Sequence, residues 1–152
     1  MVSIKKSKKP LKMFKNLLFT CFLGLTAIVL GAFGAHALKD TLPQRLFEAF
    51  ETGVEYQMYH ALALLFMSLI SLHVRNGFSG RLLKCAQLVM LVGVVLFSGS
   101  LYLLAIMQER AIGMVTPIGG ITLLIAWSCA FFAVIKPGAF ERVVEENVVE
   151  GR

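Results

Sequence analysis

The chain has 152 residues, enough for one compact unit but too few for two domains with separate cores. Hydrophobic residues make up 57% and charged residues 16%, against roughly 25% charged residues in soluble proteins, which excludes an ordinary soluble domain. The net charge of +6 does not indicate nucleic-acid binding, because so much of it lies in a short lysine-rich start before the first hydrophobic run. Such a start is typical of a membrane topology signal that can touch anionic lipid headgroups. Its lysines are Lys5, Lys6, Lys8, Lys9, Lys12 and Lys15.

Four runs without formal charge follow: Asn16–Leu38, Gln57–Val74, Cys85–Gln108 and Ala111–Ile135. Crossing a bilayer core of roughly 30 Å takes about 20 apolar residues in a helix. Three runs meet this length, and the second is marginal because His60 and His73 lie near its ends. The sequence therefore predicts an all-α polytopic membrane protein, a four-transmembrane-helix bundle.

The first run resembles a cleavable secretory signal, because it follows a basic start and ends in "AHA", residues 35–37. Its apolar stretch is too long for a signal, whose hydrophobic region has about 7–15 residues. We therefore expect it to be retained as the first helix. Three small residues spaced by four lie on one side of it, together with one glycine a turn earlier, and would let another helix approach closely. These predicted packing residues are Gly24, Ala27, Gly31 and Ala35.

The loops differ in charge. The second loop carries Arg75, Arg81 and Lys84 with no acid, whereas acids outnumber bases in the first loop. The positive-inside rule then predicts that both termini and the second loop are cytoplasmic. The predicted organisation is a basic cytoplasmic tail at 1–13, a four-helix transmembrane domain at 14–136 and an acidic cytoplasmic tail at 137–152.

The first loop, predicted to be external, has a helical pattern of its own. Apolar residues recur every four positions from Leu42 to Met58, and charged residues fall on other sides. This pattern predicts an amphipathic helix that runs into the second span, with Thr41 as its cap and Pro43 in its first turn. It fits a helix on the membrane surface and a helix folded onto the bundle equally well.

The fourth run contains "TPIGG", residues 116–120. A threonine cap followed by a first-turn proline indicates a plain helix start, and the two glycines permit close packing or a bend. A broken helix that lines a substrate cavity would give a similar pattern. The isolated cysteines Cys21, Cys85 and Cys129 predict no disulfide.

Four motifs in order carry a family resemblance: "GAFGAHALK", "FETGVEYQMYHALALL", "LFSGSLYLLA" and "TPIGG". With them the chain resembles the YgdD/YwdK-like family of small bacterial inner-membrane proteins over about residues 14–135. The resemblance implies a four-helix protein of the bacterial cytoplasmic membrane with a retained first helix. The family is a domain of unknown function, so the resemblance implies no activity, substrate or catalytic residue.

With this topology, polar residues gather at the outer ends of all four helices. Several would be neighbours four residues apart on a helix, including His36 with Asp40 and Tyr56 with His60. We expect His36 to face the bundle interior, where the group would serve either as structural hydrogen bonds or as a ligand or proton site. The candidate cluster consists of His36, Asp40, Glu55, Tyr56, His60, Ser98, Tyr102 and Thr116.

Specific chemistries have little support in the sequence. His36 and His60 lack a third ligand fixed by a motif, so we expect no metal or other cofactor. Ser98 has no motif that supplies a base, and no nucleotide-binding or zinc-protease motif occurs. The chain is therefore not expected to be an enzyme.

Two function hypotheses remain. The favoured one is a non-enzymatic accessory or scaffold protein that acts through helix contacts with a membrane protein or with further copies of itself. The alternative is a small transporter or channel-like protein that uses the outer cluster. The inner half offers only Thr20, His73 and Gln87 for a polar path, which is why the first is preferred.

Overall fold

Four long helices account for most of the chain in the computed structural model, which describes residues 9–74 and 77–135. Helix α1 spans Lys9–Phe33 and continues as a π-helical turn, Gly34–Leu38. Helix α2 spans Gln44–His73 and α3 spans Phe78–Met107. A 3₁₀ turn at Arg110–Met114 leads into α4, Thr116–Ile135. The residues predicted to form most of the two tails, and Arg75 in the second loop, lie outside the described residues.

The helices pack in chain order, α1 on α2, α2 on α3 and α3 on α4, whereas α1 and α4 make no substantial contact with each other. Neighbours are antiparallel, since rising residue numbers in one helix meet falling numbers in the next. All four helices contribute to one apolar cluster, which includes Leu23, Leu64, Met90 and Ala126. Helices α2 and α3 are therefore central, and α1 and α4 form the two edges.

Each interface follows a stripe of residues spaced alternately by three and four, the repeat that keeps one helix face turned toward a neighbour. In α4 this stripe is almost entirely small: Gly119, Leu123, Ala126, Ala130 and Ala133 are its buried residues. Small side chains let two backbones approach closely, which favours packing between helices in lipid. Helix α4 therefore lies close against α3.

The closest approach between α3 and α4 is at the glycines. A Cβ added at Gly119 would lie 2.5 Å from the backbone nitrogen of Phe97. A Cβ added at Gly93 of α3 would lie 2.7 Å from the side chain of Leu123 in α4. The first glycine of "TPIGG" is thus used for close packing, and α4 runs without a break from Thr116, as the plain helix start predicts.

The predicted small-residue stripe of α1 is only partly right. Ala27 is fully buried, and a Cβ at Gly31 would contact Val54 of α2. Gly24, however, has open space around it, and Ala35 is exposed. At 3.6 residues per turn, Gly24 and Ala35 lie roughly 60° and 80° around the helix from Ala27, so both are turned away from the centre of the interface.

The tight α1–α2 contact at this end is made instead by Gly34. A Cβ there would lie 2.9 Å from the ring of Phe50.

The predicted helix of the first loop is the N-terminal part of α2, not a separate element. The apolar side chains Leu46, Phe47 and Phe50 of this part are buried in the protein. The predicted cap is wrong. The hydroxyl of Thr41 donates backward to the carbonyl oxygens of Ala37 and Leu38, and α2 begins only at Gln44, with no side-chain cap.

Among the described residues, three segments are long and apolar enough to cross a membrane: Leu17–Leu38, Phe78–Met107 and Arg110–Ile135. Helix α2 is as long as α3, but its first 12 residues carry Arg45, Glu48, Glu51 and Glu55. Length and composition therefore support three spans directly.

The glycine packing predicts that two adjacent substitutions differ in their effect on stability. Gly119→Ala should destabilise the protein by about 1–3 kcal/mol, because its methyl group meets backbone atoms of α3 that move only if the helices separate. Gly120→Ala is the matched control, since its Cβ would meet nothing closer than 3.8 Å. Unfolding of both variants in detergent measures the difference. Equal stability would show that α3 and α4 are not packed this closely.

Candidate functional site

The eight residues predicted to form one polar cluster lie in different environments. His36, Asp40 and Glu55 are exposed, and none of the three has a hydrogen bond or ion pair within the described residues. His60 and Ser98 are buried, while Tyr102 and Thr116 are half-buried. The structure brings Tyr56 next to His60, and of the remaining members only Tyr102 and Thr116 form hydrogen bonds with another helix in the described residues.

The prediction that His36 faces the bundle interior is wrong. The inward position on this turn belongs to Gly34, which is buried against Phe50. A residue two positions further along a helix points to roughly the opposite side. His36 is therefore exposed at the edge of the molecule and cannot join α1 to His60 or Tyr102.

A buried glutamine joins three helices. Gln57 of α2 donates from Nε2 to the carbonyl oxygen of Leu23 and to the hydroxyl of Thr26, both at 2.8 Å in α1. Its Oε1 accepts a hydrogen bond from the hydroxyl of Tyr102 in α3 at 2.9 Å. A buried amide without partners would cost several kcal/mol in an apolar environment. These bonds therefore fix the positions of α1 and α3 on α2.

The position of Tyr102 is set by shape as well as by this hydrogen bond. Its ring packs on Phe50, with ring centroids 5.0 Å apart. A Cβ added at Gly53 would lie 2.8 Å from the Tyr102 ring, so only glycine leaves room for it. Helix α2 thus contacts Tyr102 through the ring of Phe50, the space left at Gly53 and the side-chain amide of Gln57.

His60 forms a second link, between α2 and α4. Its Nδ1 lies 2.7 Å from the carbonyl oxygen of Tyr56, and the indole Nε1 of Trp127 donates to its Nε2 at 3.3 Å. A carbonyl only accepts and an indole only donates. Both contacts therefore require the neutral imidazole with its proton on Nδ1, and neither nitrogen is left for another ligand.

The third link joins α3 to α4 through Ser100, whose hydroxyl lies 2.8 Å from that of Thr116. The predicted participant, Ser98, is fully buried two residues earlier, and its hydroxyl has no hydrogen-bond partner in the described part of the chain. The hydroxyl of Tyr102, one turn further along α3, donates to Gln57 and not to Ser98.

An apolar groove of about 510 Å³ separates α2 from α4 and has α3 at its base. Trp127 and Tyr56 stand on its two sides, and Tyr56 stacks on Phe97 with ring centroids 4.4 Å apart. His60 is the most polar residue of its lining. The full lining is Tyr56, Tyr59, His60, Phe97, Gly120, Leu123, Leu124 and Trp127.

A smaller groove of about 250 Å³ lies between α1 and α3, with α2 at its base. It has more polar groups, including Lys84 and Gln87. Its full lining is Phe19, Thr20, Leu64, Ser68, Lys84, Gln87, Leu88 and Leu91.

Gln57 is the residue that the sequence analysis missed as a member of the site. In the sequence it is the first residue of the second charge-free run, and it was used only to mark where that run begins. The available signal was its register, since it falls on the buried stripe of α2 with Phe50, Gly53, His60 and Leu64. A polar residue on an otherwise apolar stripe indicates a hydrogen bond inside the protein. In the described residues no group of three or more His, Cys, Asp or Glu side chains is placed to hold a metal ion.

Comparison with known proteins gives the family. A family model described as Protein of unknown function (DUF423) matches residues 30–120, more than half of the chain. The chain belongs to this family. The match covers the π-helical turn, all of α2 and α3 and the first turn of α4. The resemblance predicted from the four sequence motifs is thereby confirmed.

Relatives occur in distant bacteria. The chain is 39% identical over 112 residues to the UPF0382 membrane protein YwdK of Bacillus subtilis, covering 74% of this chain and 89% of that protein. It is 40% identical over 113 residues to a UPF0382 membrane protein of Haemophilus influenzae, covering 74% and 87%. It is 35% identical over 120 residues to the UPF0382 inner membrane protein YgdD of Escherichia coli, covering 79% and 88%. No solved structure matches the chain.

The glutamine link predicts unequal effects for two tyrosine substitutions. Tyr102→Phe should destabilise the protein by about 1–3 kcal/mol, because it leaves the buried Oε1 of Gln57 without its donor. Tyr59→Phe is the control, since Tyr59 is exposed in the lining of the larger groove and its hydroxyl forms no hydrogen bond within the described residues. Thermal unfolding in detergent measures both. Equal loss in the two variants would remove the glutamine link from the account.

Proposed function

We propose that this protein is a non-enzymatic membrane protein with four spans and cytoplasmic termini, which works through contacts of its edge helices with other membrane proteins or with copies of itself. The observation that carries the proposal is the use of the buried polar groups. Gln57, His60 and Ser100 each bond to a neighbouring helix, which is what a structural core requires.

The fourth span in this proposal is α2. It packs between α1 and α3, and both of these are long and apolar enough to cross a membrane. From Gln57 to His73 it has 17 residues without formal charge, which is the lower limit for a span. Its polar residues Gln57, His60 and Ser68 are buried against protein, so they lower its apolar content without meeting lipid.

The orientation rests on the charges at the two ends of the molecule. The end where α2 meets α3 carries Arg81 and Lys84 in the described residues, and the first two turns of α1, at this same end, contain Lys9, Lys12 and Lys15. The opposite end, around the start of α2, carries Asp40, Glu48, Glu51 and Glu55. The positive-inside rule favours the basic end in the cytoplasm.

The edge helices supply the proposed contact surfaces. On α1, Phe22, Leu25 and Ile28 are all more than half exposed. On α4, Leu124 and Phe131 are exposed to a similar degree. Acyl chains or the helices of a partner can cover such surfaces, and the proposal assigns part of them to a partner.

A small transporter or channel is the alternative. Transport needs polar groups that a substrate can reach along a path between the two membrane faces. The larger groove is lined mainly by aromatic and aliphatic side chains, and both ring nitrogens of His60 already have partners. These features favour the helix-contact proposal.

The topology is tested by reporter fusions. A cytoplasmic reporter should be active when fused after Arg152, and a periplasmic reporter should be active when inserted near Gln44. A periplasmic C-terminus would contradict both the proposed orientation and the span assigned to α2.

The proposed mode of action predicts the mass of the native complex. Native mass spectrometry after release from bacterial membranes in a mild detergent should find the 16.7 kDa chain bound to a second copy or to another membrane protein. The matched sample is the chain exchanged into a harsh detergent, which should have the mass of one chain. A single chain with lipid alone in the mild detergent would contradict the proposal.

A further inference from the structure

The smaller groove combines one charged side chain with three buried polar ones. Lys84 is the only charged residue of its lining. Thr20, Ser68 and Gln87 are between 3% and 8% exposed and come from three different helices. No acid lies in the groove, and Lys84 forms no ion pair within the described residues. The groove therefore has a net positive charge and polar side chains from three helices.

The depth of the groove follows from the length of α3. The helix has 30 residues, whereas about 20 suffice to cross the hydrocarbon core. If Met107 marks one boundary of the hydrocarbon core, the 20 residues that cross it extend back to Leu88. Lys84 then lies one turn beyond the hydrocarbon, about 6 Å farther along the axis, at the level of the lipid headgroups. Basic grooves between spans at this level are suited to anionic headgroups.

The rest of the groove lining is apolar and suits an acyl chain. Phe19, Leu88 and Leu91 add apolar side chains to the same groove. Phe19 and Leu88 are both exposed on the outside of the molecule. An occupant with an anionic head and an apolar chain would match both halves of the groove.

We propose that the groove between α1 and α3 binds an anionic phospholipid, with its phosphate at Lys84 and an acyl chain along Phe19 and Leu88. Lys84 supplies the positive charge, while Thr20, Ser68 and Gln87 provide the polar surroundings of the headgroup. The proposal goes beyond the proposed function and requires only that the helices lie in a membrane.

The chain offers a matched control for Lys84. Arg81 lies one turn earlier on α3, is also exposed, and lines a separate shallow surface with Phe78, Leu82 and Cys85. Lys84→Gln and Arg81→Gln thus remove the same charge from the same helix end, but only the first changes the groove. Both side chains are exposed, so both variants should fold.

The experiment measures binding of phosphatidylglycerol and phosphatidylcholine to the full-length chain in detergent, by native mass spectrometry and by the rise in thermal stability on lipid addition. The parent should prefer phosphatidylglycerol, and Lys84→Gln should bind it about fivefold more weakly, the effect of one basic residue near a membrane surface. Arg81→Gln should keep most of the binding and of the stability rise.

Three results would overturn the proposal. One is equal binding of the two lipids by the parent, and another is equal loss in the two variants, which would indicate general surface attraction. The third is a stability rise with inorganic phosphate alone that matches the rise with phosphatidylglycerol, since it would make this a site for free phosphate. The assay uses the isolated chain, so failure of the proposed topology or partner leaves its outcome unaffected.

Discussion

A buried amide in an apolar protein must find hydrogen-bond partners, and this constraint determines how the first three helices meet. Gln57 lies on the central helix α2 and reaches α1 through Thr26 and the carbonyl oxygen of Leu23. It reaches α3 through Tyr102. Since apolar side chains gain little by leaving lipid for each other, directed bonds of this kind select one register among many. The positions of Phe50 and Gly53 against Tyr102 follow from it.

The contact between α3 and α4 depends on backbone shape instead. Gly93 and Gly119 remove the side chains that would hold the helices apart, and Ser100 and Thr116 join them at one end. Trp127 then reaches across α3 to His60 on α2. Helix α4 is thus held by close packing along α3 and by one polar contact with α2, while its other side stays exposed. The two edges and the grooves arise from this arrangement in chain order.

Much of the fold could be predicted from the sequence, because hydrophobic runs and loop signals are local. The charge-free runs located the four helices, and the glycines of "TPIGG" were assigned to close packing as one of two options. The register of α1 was missed because a strict spacing of four does not follow a real helix. The π-helical turn at Gly34–Leu38 gave no signal in composition, since its residues suit an ordinary helix.

The candidate site was harder to predict for a related reason. Residues at the same depth were assumed to meet, but depth does not specify which way a side chain points around its helix. Gly34 occupies the inward side and leaves His36 outside, whereas Gln57 points inward and was overlooked. Ser98 was included in the predicted cluster with Thr116, but it is Ser100 that forms the hydrogen bond to Thr116. The direction of each serine side chain around α3 decides this, and depth does not specify it. A heptad reading of α2 would have found Gln57, but no pattern reveals which tyrosine donates to it.

The central claim is that Gln57 and Tyr102 act as one link between α2 and α3. A double-mutant cycle of Gln57→Leu and Tyr102→Phe, followed by reversible unfolding in detergent micelles, tests it most directly. The account predicts a favourable coupling of about 0.6–1.7 kcal/mol, the range for hydrogen bonds between membrane helices, so Tyr102→Phe costs less once Gln57 is gone. Additive effects of the two substitutions would contradict the account, because they would show that the two side chains do not depend on each other.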